Sequence, residues 1–278
     1  MFSIRTLWIL IAVELVLLLI GVHEWQLLPD GKAHASVLNV GQGDSILLVS
    51  PSGKQILIDG GPDLSALAAV GQRMPWTDRT IELLVLTHPD LDHVAAFPEI
   101  LRRYRVNQIL LTGVQKKSNN GAYREFQTLI REKHIPVIQA NPAQDIDMGD
   151  GLILDVAWPY PTWNGQVIDD VNDTSVTIRA IHGDRSMLLT GDIEHNAEQT
   201  MLRSGTPLRS TILKVPHHGS KTSSSTGFLL AVDPEQALIS VSVPSKFGHP
   251  HAVVMERYQK LGIPTHITGK EGTLSVEF

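Results

Sequence analysis

The 278-residue chain contains no cysteine. That excludes disulfide staples, thiolate zinc sites and a cysteine nucleophile, and leaves a chain suited to either side of a membrane. Surplus positive charge is absent too. The net charge is −6, which excludes a strong sequence-independent pull of the whole molecule toward nucleic acid. Charged residues are only 19% and apolar residues 42%, so the chain is not disordered, and its length suffices for one large core or two modest ones. No internal repeat or low-complexity tract is present. Histidine is abundant: twelve, against four tyrosines.

Residues 7–22 read LWILIAVELVLLLIGV, with Glu14 the sole ionisable group. Phe2 and Trp25 extend this run toward the roughly 20 residues that span hydrocarbon. Arg5 precedes it and His23, Glu24 and Asp30 follow, so the positive-inside rule puts the remainder of the chain outside the cytoplasm. A cleaved signal ending near Ala33-His34-Ala35 and a buried helix are the alternatives to an uncleaved anchor.

From Ser36 onward, strand-like runs alternate with turn residues. Strands are predicted at 36–40, 45–50, 55–58, 81–86, 108–111, 136–139, 152–157, 175–181, 186–189, 212–215, 236–240, 264–268 and 273–277. Helices are predicted at 64–70, 94–104, 123–134, 197–203 and 252–261. The mixture suggests two packed sheets with helices outside. Charge is uneven: residues 101–134 hold eight Lys/Arg and two Glu, whereas 135–178 hold seven Asp and no Lys or Arg. The basic block (Arg102, Arg103, Arg105, Lys116, Lys117, Arg124, Arg131, Lys133) is either the solvated face of two helices or a track for a phosphate backbone.

The strongest local signal is Thr87-His88-Pro89-Asp90-Leu91-Asp92-His93, which follows a continuous apolar run. Folding alone gives no reason for four metal-ligand types at a buried strand end, where ionised carboxylates are costly unless paired or metal-bound. Asp192 ends the run SMLLTGD, His217 and His218 end LKVPHH, and Asp59 ends ILID. Convergent strand ends offering N and O ligands are what a two-metal site requires.

These motifs resemble the metallo-β-lactamase superfamily over roughly residues 35–278. LNVGQGDSILL, ILIDGG, LTHPDLDH, NDTSV, MLLTGDIE, LKVPHHGS and FGHPH, in this order, are similar to the lactamase-like domain of ComEC-type DNA-uptake competence proteins. The resemblance implies an α+β fold, an αββα sandwich preceded by one N-terminal membrane helix. The organisation is then an anchor or signal segment at 1–28, a linker at 29–34 and a hydrolase domain at 35–278. It implies two divalent ions, Mn²⁺ or Zn²⁺. His88 and Asp90 would hold one, Asp92 and His93 the other, with Asp192 bridging and either His217 or His218 completing the second site. Asn172 and Ser175 occupy the stretch where the wider superfamily has another histidine. Asp59 would orient ligands from behind. Asn39 replaces the family's usual Asp before VGQGD, and Ala95-Ala96 its usual Gly-Gly.

Such a centre activates a water with Asp92 among its ligands, and His249 or His251 could protonate the departing oxygen. Asp90, in place of a histidine, makes the donor set harder, which favours Mn²⁺ and phosphodiesters. Ser220, Lys221 and Ser223 are candidate phosphate contacts. Trp158 and Trp163 lie in a stiff loop that either packs or stacks bases, and His182 and His195 are surface residues. The expected function is a phosphodiesterase or nuclease acting on DNA outside the cytoplasm, in a competence-like context with a membrane channel partner. The alternatives are a hydrolase of another ester, lactone or β-lactam, and a non-catalytic module that binds DNA or a partner.

Overall fold

The computed structural model describes residues 4–117, 121–160 and 163–278. The opening apolar run forms one helix, α1 (Ile4–Gln26), with no buried residue. At about 1.5 Å per residue its 23 residues reach about 34 Å, enough to cross the hydrocarbon layer, which makes it a candidate membrane anchor. Near its end the Glu24 carboxylate accepts the Trp76 N–H at 3.0 Å, a contact between helix and domain.

Two seven-stranded sheets follow. The first contains β1 (His34–Val37), β2 (Ile46–Val49), β3 (Gln55–Ile58), β4 (Thr80–Val85), β5 (Arg105–Leu111), β7 (Val137–Gln139) and β16 (Leu274–Glu277), in the order 16-1-2-3-4-5-7. The second contains β8 (Ile146–Asp147), β9 (Leu152–Trp158), β11 (Thr177–His182), β12 (Arg185–Leu189), β13 (Ile212–Lys214), β14 (Gln236–Ile239) and β15 (Thr265–Ile267), in the order 15-14-13-12-11-9-8. A short ribbon pairs β6 (Gln115–Lys116) with β10 (Val167–Ile168) in parallel. The helices are α2 (Ser65–Gly71), α3 (Leu91–Val94), α4 (Phe97–Arg103), α5 (Gly121–Glu132), α6 (His195–Ser204), α7 (Thr226–Val232), α8 (Ala252–Lys260) and α9 (Thr268–Glu271).

Period-two alternation explains the layering. On β4, Leu83 and Val85 join the core between the sheets, while Leu84 faces outward beneath Phe97, Leu101 and Phe126. On β12, Met187 and Leu189 point inward, and Leu188 meets the cluster of Phe228, Leu229 and Tyr258. Both faces of these strands are covered, which is why they read as continuous apolar runs. The result is the expected αββα sandwich.

Two local expectations are corrected. The predicted helix over 94–104 is two helices. The Ala95 and Ala96 N–H groups donate to the Gly61 and Gly60 carbonyls, at 3.1 and 3.2 Å, and Pro98 starts a new first turn. The stretch beginning near Ser223, where no helix is predicted, leads into α7, whose first turn is capped by the Ser225 hydroxyl accepting the Phe228 N–H at 3.3 Å.

Within each sheet half the pairings are parallel: β3–β4–β5–β7 in one, β12–β13–β14–β15 in the other. The carboxyl ends of β3, β4, β12, β13 and β14 therefore open on one edge of the sandwich, the place where open parallel sheets present their ligands.

Candidate metal centre

Each of those strand ends delivers polar side chains. After β3, Asp59 takes a left-handed φ of 60° and is buried. Its two oxygens accept the Thr87 N–H (2.8 Å) and hydroxyl (2.7 Å), which ties the end of β3 to the end of β4. Beyond β12, Gly191 has φ +52°, and a Cβ there would lie 2.9 Å from the Cβ atoms of Ser175 and Thr87. Only glycine lets Asp192 approach the β4 loop this closely. After β13, His217 and His218 are both left-handed, with φ of 46° and 54°. Such backbone costs on the order of 1–3 kcal/mol per residue and persists where its surroundings enforce it. Here the His217 N–H donates to the Gly191 carbonyl at 3.2 Å, and the Ser220 N–H to the His217 carbonyl at 2.8 Å.

Four histidines share one orientation. His93 Nδ1 donates to Asp59 Oδ2 at 2.7 Å, His218 Nδ1 to the Ser240 carbonyl at 2.8 Å, and His217 Nδ1 to Glu194 Oε1 at 2.9 Å. His88 Nδ1 lies 3.0 Å from the Thr87 hydroxyl and 3.2 Å from that of Ser175. Both hydroxyls already donate elsewhere, to Asp59 and to the Asn172 carbonyl, so they accept from His88. Every Nδ1 is thus occupied, and Nε2 is the nitrogen left with its lone pair.

These Nε2 atoms meet carboxylates. His93 Nε2 is 3.3 Å and His218 Nε2 3.4 Å from Asp192 Oδ2. Asp92 Oδ2 is 3.6 Å from His218 Nε2 and 4.0 Å from His93 Nε2, while His217 Nε2 is 3.9 Å from Asp192. His88 Nε2 is 4.0 Å from Asp90 Oδ2. The donor atoms of Asp92, His93, Asp192 and His218 all lie within 4.8 Å of one another. Four ligands about 2.0–2.1 Å from a cation would stand about 3.3–3.4 Å apart, close to the shorter spacings seen. His93 Nε2, His218 Nε2 and Asp192 Oδ1 are buried without a hydrogen-bond partner. Each such orphan costs about 1–3 kcal/mol, and a shared divalent cation satisfies all three. The residues fit the group.

The local charge balance agrees. Asp44, Asp59, Asp90, Asp92, Asp192 and Glu194 supply six carboxylates; the ammonium groups among them are Lys214, fully buried and bonded to Asp44, and Lys116, 2.6 Å from Asp90. Burial opposes charge on His93, but Asp192, Asp59 and Asp92 outweigh it and hold the ring's pKa well above its ordinary value. Burial also opposes charge on His218, yet Asp192 and Asp44 raise its pKa to about 10. Burial likewise opposes ionisation of Asp192, but His218 and His93 keep its pKa well below the usual carboxylate range. His88 goes the other way: burial, then its neighbour His93, lowers it to about 3. The cluster draws in positive charge, and protons supply it where a metal ion does not.

The other sequence-predicted residues divide. His249 and His251 border the cluster: the His249 ring centroid is 5.5 Å from that of His217 and 4.8 Å from that of His251. Ser175 Oγ accepts the Asp192 N–H at 3.1 Å, and Asn172 contributes its carbonyl to Ser175. Lys221 is exposed and donates its backbone N–H to His251 Nδ1 at 3.1 Å. Ser223 is a correction. Its buried hydroxyl donates to the Pro216 and Ser220 carbonyls, which withdraws it from any substrate. Ser220 is buried too, with its hydroxyl on Thr222. Trp158 packs, with Nε1 on the Asp173 carbonyl at 2.7 Å; residues 161–162 of that loop lie outside the described residues. His182 is half-buried rather than on the surface, with Nδ1 on the Phe278 carbonyl at 3.3 Å. Asp44, Lys214 and Glu194 had no role assigned beyond the motifs they lie in, and Lys116 was read only as part of the basic block. The one available signal was a lysine inside the apolar strand ILKV.

Residues 38–243 match the family model described as "Metallo-beta-lactamase superfamily". The chain belongs to this superfamily. Its superfamily fold is shared with Igni18, described as a novel metallo hydrolase from Ignicoccus hospitalis, at a TM-score of 0.56 and 16% identity, over 88% of this chain and 99% of that one. Among curated proteins the chain is similar to ComE operon protein 3 of Bacillus subtilis, 24% identical over 90% of this chain and 33% of that protein. It is also similar to Competence protein ComA of Neisseria gonorrhoeae, 30% identical over 93% of this chain and 34% of that protein. These are ComEC-type competence proteins. The chain spans about a third of their length.

Proposed function

We propose that this metallo-β-lactamase-fold chain is a metal-dependent phosphodiesterase that cleaves DNA, held at a membrane by α1 with residues 35–278 outside the cytoplasm. The observation that carries the metal requirement is the set of Nε2 atoms whose Nδ1 partners aim them at Asp92 and Asp192. His88 and Asp90 would hold one divalent ion. Asp92, His93 and His218 would hold another, with Asp192 between. When bound, such ions supply Lewis acidity and an activated water at neutral pH. The carboxylate-rich donor set suits Mn²⁺, with Zn²⁺ the other candidate.

The chain's own residues do the rest. Asp59 fixes the His93 tautomer, and Glu194 holds the His217 ring. Burial and the neighbouring His217, His218 and His251 lower His249 to about 4, so at neutral pH it is a neutral hydrogen-bonding ring with no spare proton. His251 accepts the Lys221 N–H on Nδ1, so its own N–H lies on Nε2, where it can hydrogen-bond a departing oxygen. Of the basic block, Arg102, Arg103, Lys116 and Lys117 sit in ion pairs. Among the described residues, exposed Arg105, Arg124 and Lys133 carry no ion pair; Arg105 opens β5 at the end of the sheet away from the centre, which leaves Arg124 and Lys133 as the better phosphate contacts. The DNA substrate and a membrane channel partner rest on the competence relatives.

The test is a substrate panel. Full-length protein in detergent is stripped of metal and given Mn²⁺ or Zn²⁺. Labelled single- and double-stranded DNA, a chromogenic phosphodiester and a β-lactam are offered. Metal-dependent DNA cleavage without β-lactam turnover is expected. β-Lactam turnover with intact phosphodiesters would overturn the proposal.

A further inference from the structure

The two halves of the centre are backed by different charges. Behind His93 stands the buried Asp59 carboxylate, 2.7 Å from Nδ1, and behind His218 the Ser240 carbonyl at 2.8 Å. An acceptor of this kind makes the opposite nitrogen a better ligand. Behind His88, among the described residues, stand the two neutral hydroxyls of Thr87 and Ser175. Asp90, the carboxylate on that side, is already held by a cation: Lys116 Nζ lies 2.6 Å from Asp90 Oδ1, leaving Oδ2 to face His88 Nε2 at 4.0 Å.

This ammonium is built in. The two side chains are about three-quarters buried, 25% and 22% exposed. The β6–β10 ribbon fixes the backbone of Lys116, which sits opposite Ile168. On either side the Gln115 N–H donates to the Gln166 carbonyl and the Lys117 N–H to the Ile168 carbonyl, each at 2.9 Å. The Tyr123 hydroxyl donates to the Val114 carbonyl at 3.2 Å, so α5 also holds the approach to the ribbon.

We infer that Lys116 makes the two halves unequal: its charge weakens the His88–Asp90 half for a divalent cation, so the half formed by Asp92, His93, Asp192 and His218 fills first. The inference rests on the metal reading above. An ammonium bonded to a ligating carboxylate reduces the negative charge offered to a metal ion and repels the ion directly. The same bond orients Asp90, so Lys116 is a positioning residue as well as a charge. Removing its charge while keeping a donor separates the two effects.

The experiment titrates metal-stripped full-length protein with Mn²⁺, reading free Mn²⁺ by its electron paramagnetic resonance signal. The wild type is expected to bind one ion tightly and a second at least about tenfold more weakly, the size of effect that residues behind a ligand exert. Lys116→Gln is expected to tighten the second ion by about tenfold and leave the first unchanged. Lys116→Arg is expected to keep the wild-type gap. Two equal wild-type affinities, or a gap in Lys116→Gln that is unchanged or wider, would overturn the inference. The wild-type gap needs no variant to fold. A wild type that retains no Mn²⁺ would overturn the metal reading itself, a distinguishable result.

Discussion

Asp59 touches no candidate substrate position, yet three groups depend on it: the Thr87 N–H, the Thr87 hydroxyl and His93 Nδ1. Asp59→Asn removes the carboxylate that holds His93, and Mn²⁺ affinity is expected to fall about 10–100-fold in a binding titration. Lys214 belongs to stability. Its ammonium is fully buried against Asp44, and Lys214→Met leaves that buried carboxylate without its ammonium partner. A loss of about 3–5 kcal/mol is expected in denaturant unfolding, with partial recovery on adding Asp44→Asn. The sequence exposes these two pairs unequally. Asp59 ends an apolar run and His93 closes the ligand-rich motif that follows another, where polar ligand types stand out. Asp44 and Lys214 lie 170 positions apart, and only the folding of one sheet onto the other makes them partners. Lys116 read as one more basic residue because nothing local marks the 26 positions between it and Asp90.

Strand ends set the centre, and their geometry depends on a few backbone positions. At Gly191 a left-handed φ coincides with close approach to Ser175 and Thr87. Gly191→Ala is expected to destabilise the protein by about 1–2 kcal/mol or more from the backbone alone, and to loosen metal binding as Asp192 shifts; a thermal melt and a Mn²⁺ titration check the two effects separately. Strands were legible because burial on both faces writes long apolar runs, as in Ile81–Leu86. The break between α3 and α4 was not, since it comes from the Gly60 and Gly61 carbonyls reaching across from the end of β3. The choice between His217 and His218 was equally closed to sequence. It depends on two successive left-handed residues, which place His218 beside Asp92 and Asp192 and put His217 Nδ1 on Glu194.

For the whole molecule, the centre is an excess of buried carboxylate waiting for positive charge. A separate cleft lies at the opposite strand ends, where Arg179, Arg185 and Arg209 are each paired with a carboxylate. Without metal, stability depends on pH in two directions. Between about pH 3 and 6.5 the unfolded chain protonates His88 and the folded chain does not, so stability rises with pH. Between 6.5 and about 10 the folded His218 keeps a proton that the unfolded chain releases, so stability falls. Thermal melts of the metal-free protein are therefore expected to peak near pH 6.5, and added metal to flatten the alkaline fall. The most direct measurement is cleavage of labelled DNA by full-length, metal-stripped protein, wild type beside Asp192→Ala, with and without Mn²⁺. Cleavage that requires Mn²⁺ and vanishes in the variant, while DNA binding survives, is the expected result. Cleavage that persists in Asp192→Ala, or intact DNA despite bound metal, would contradict a metal-dependent nuclease.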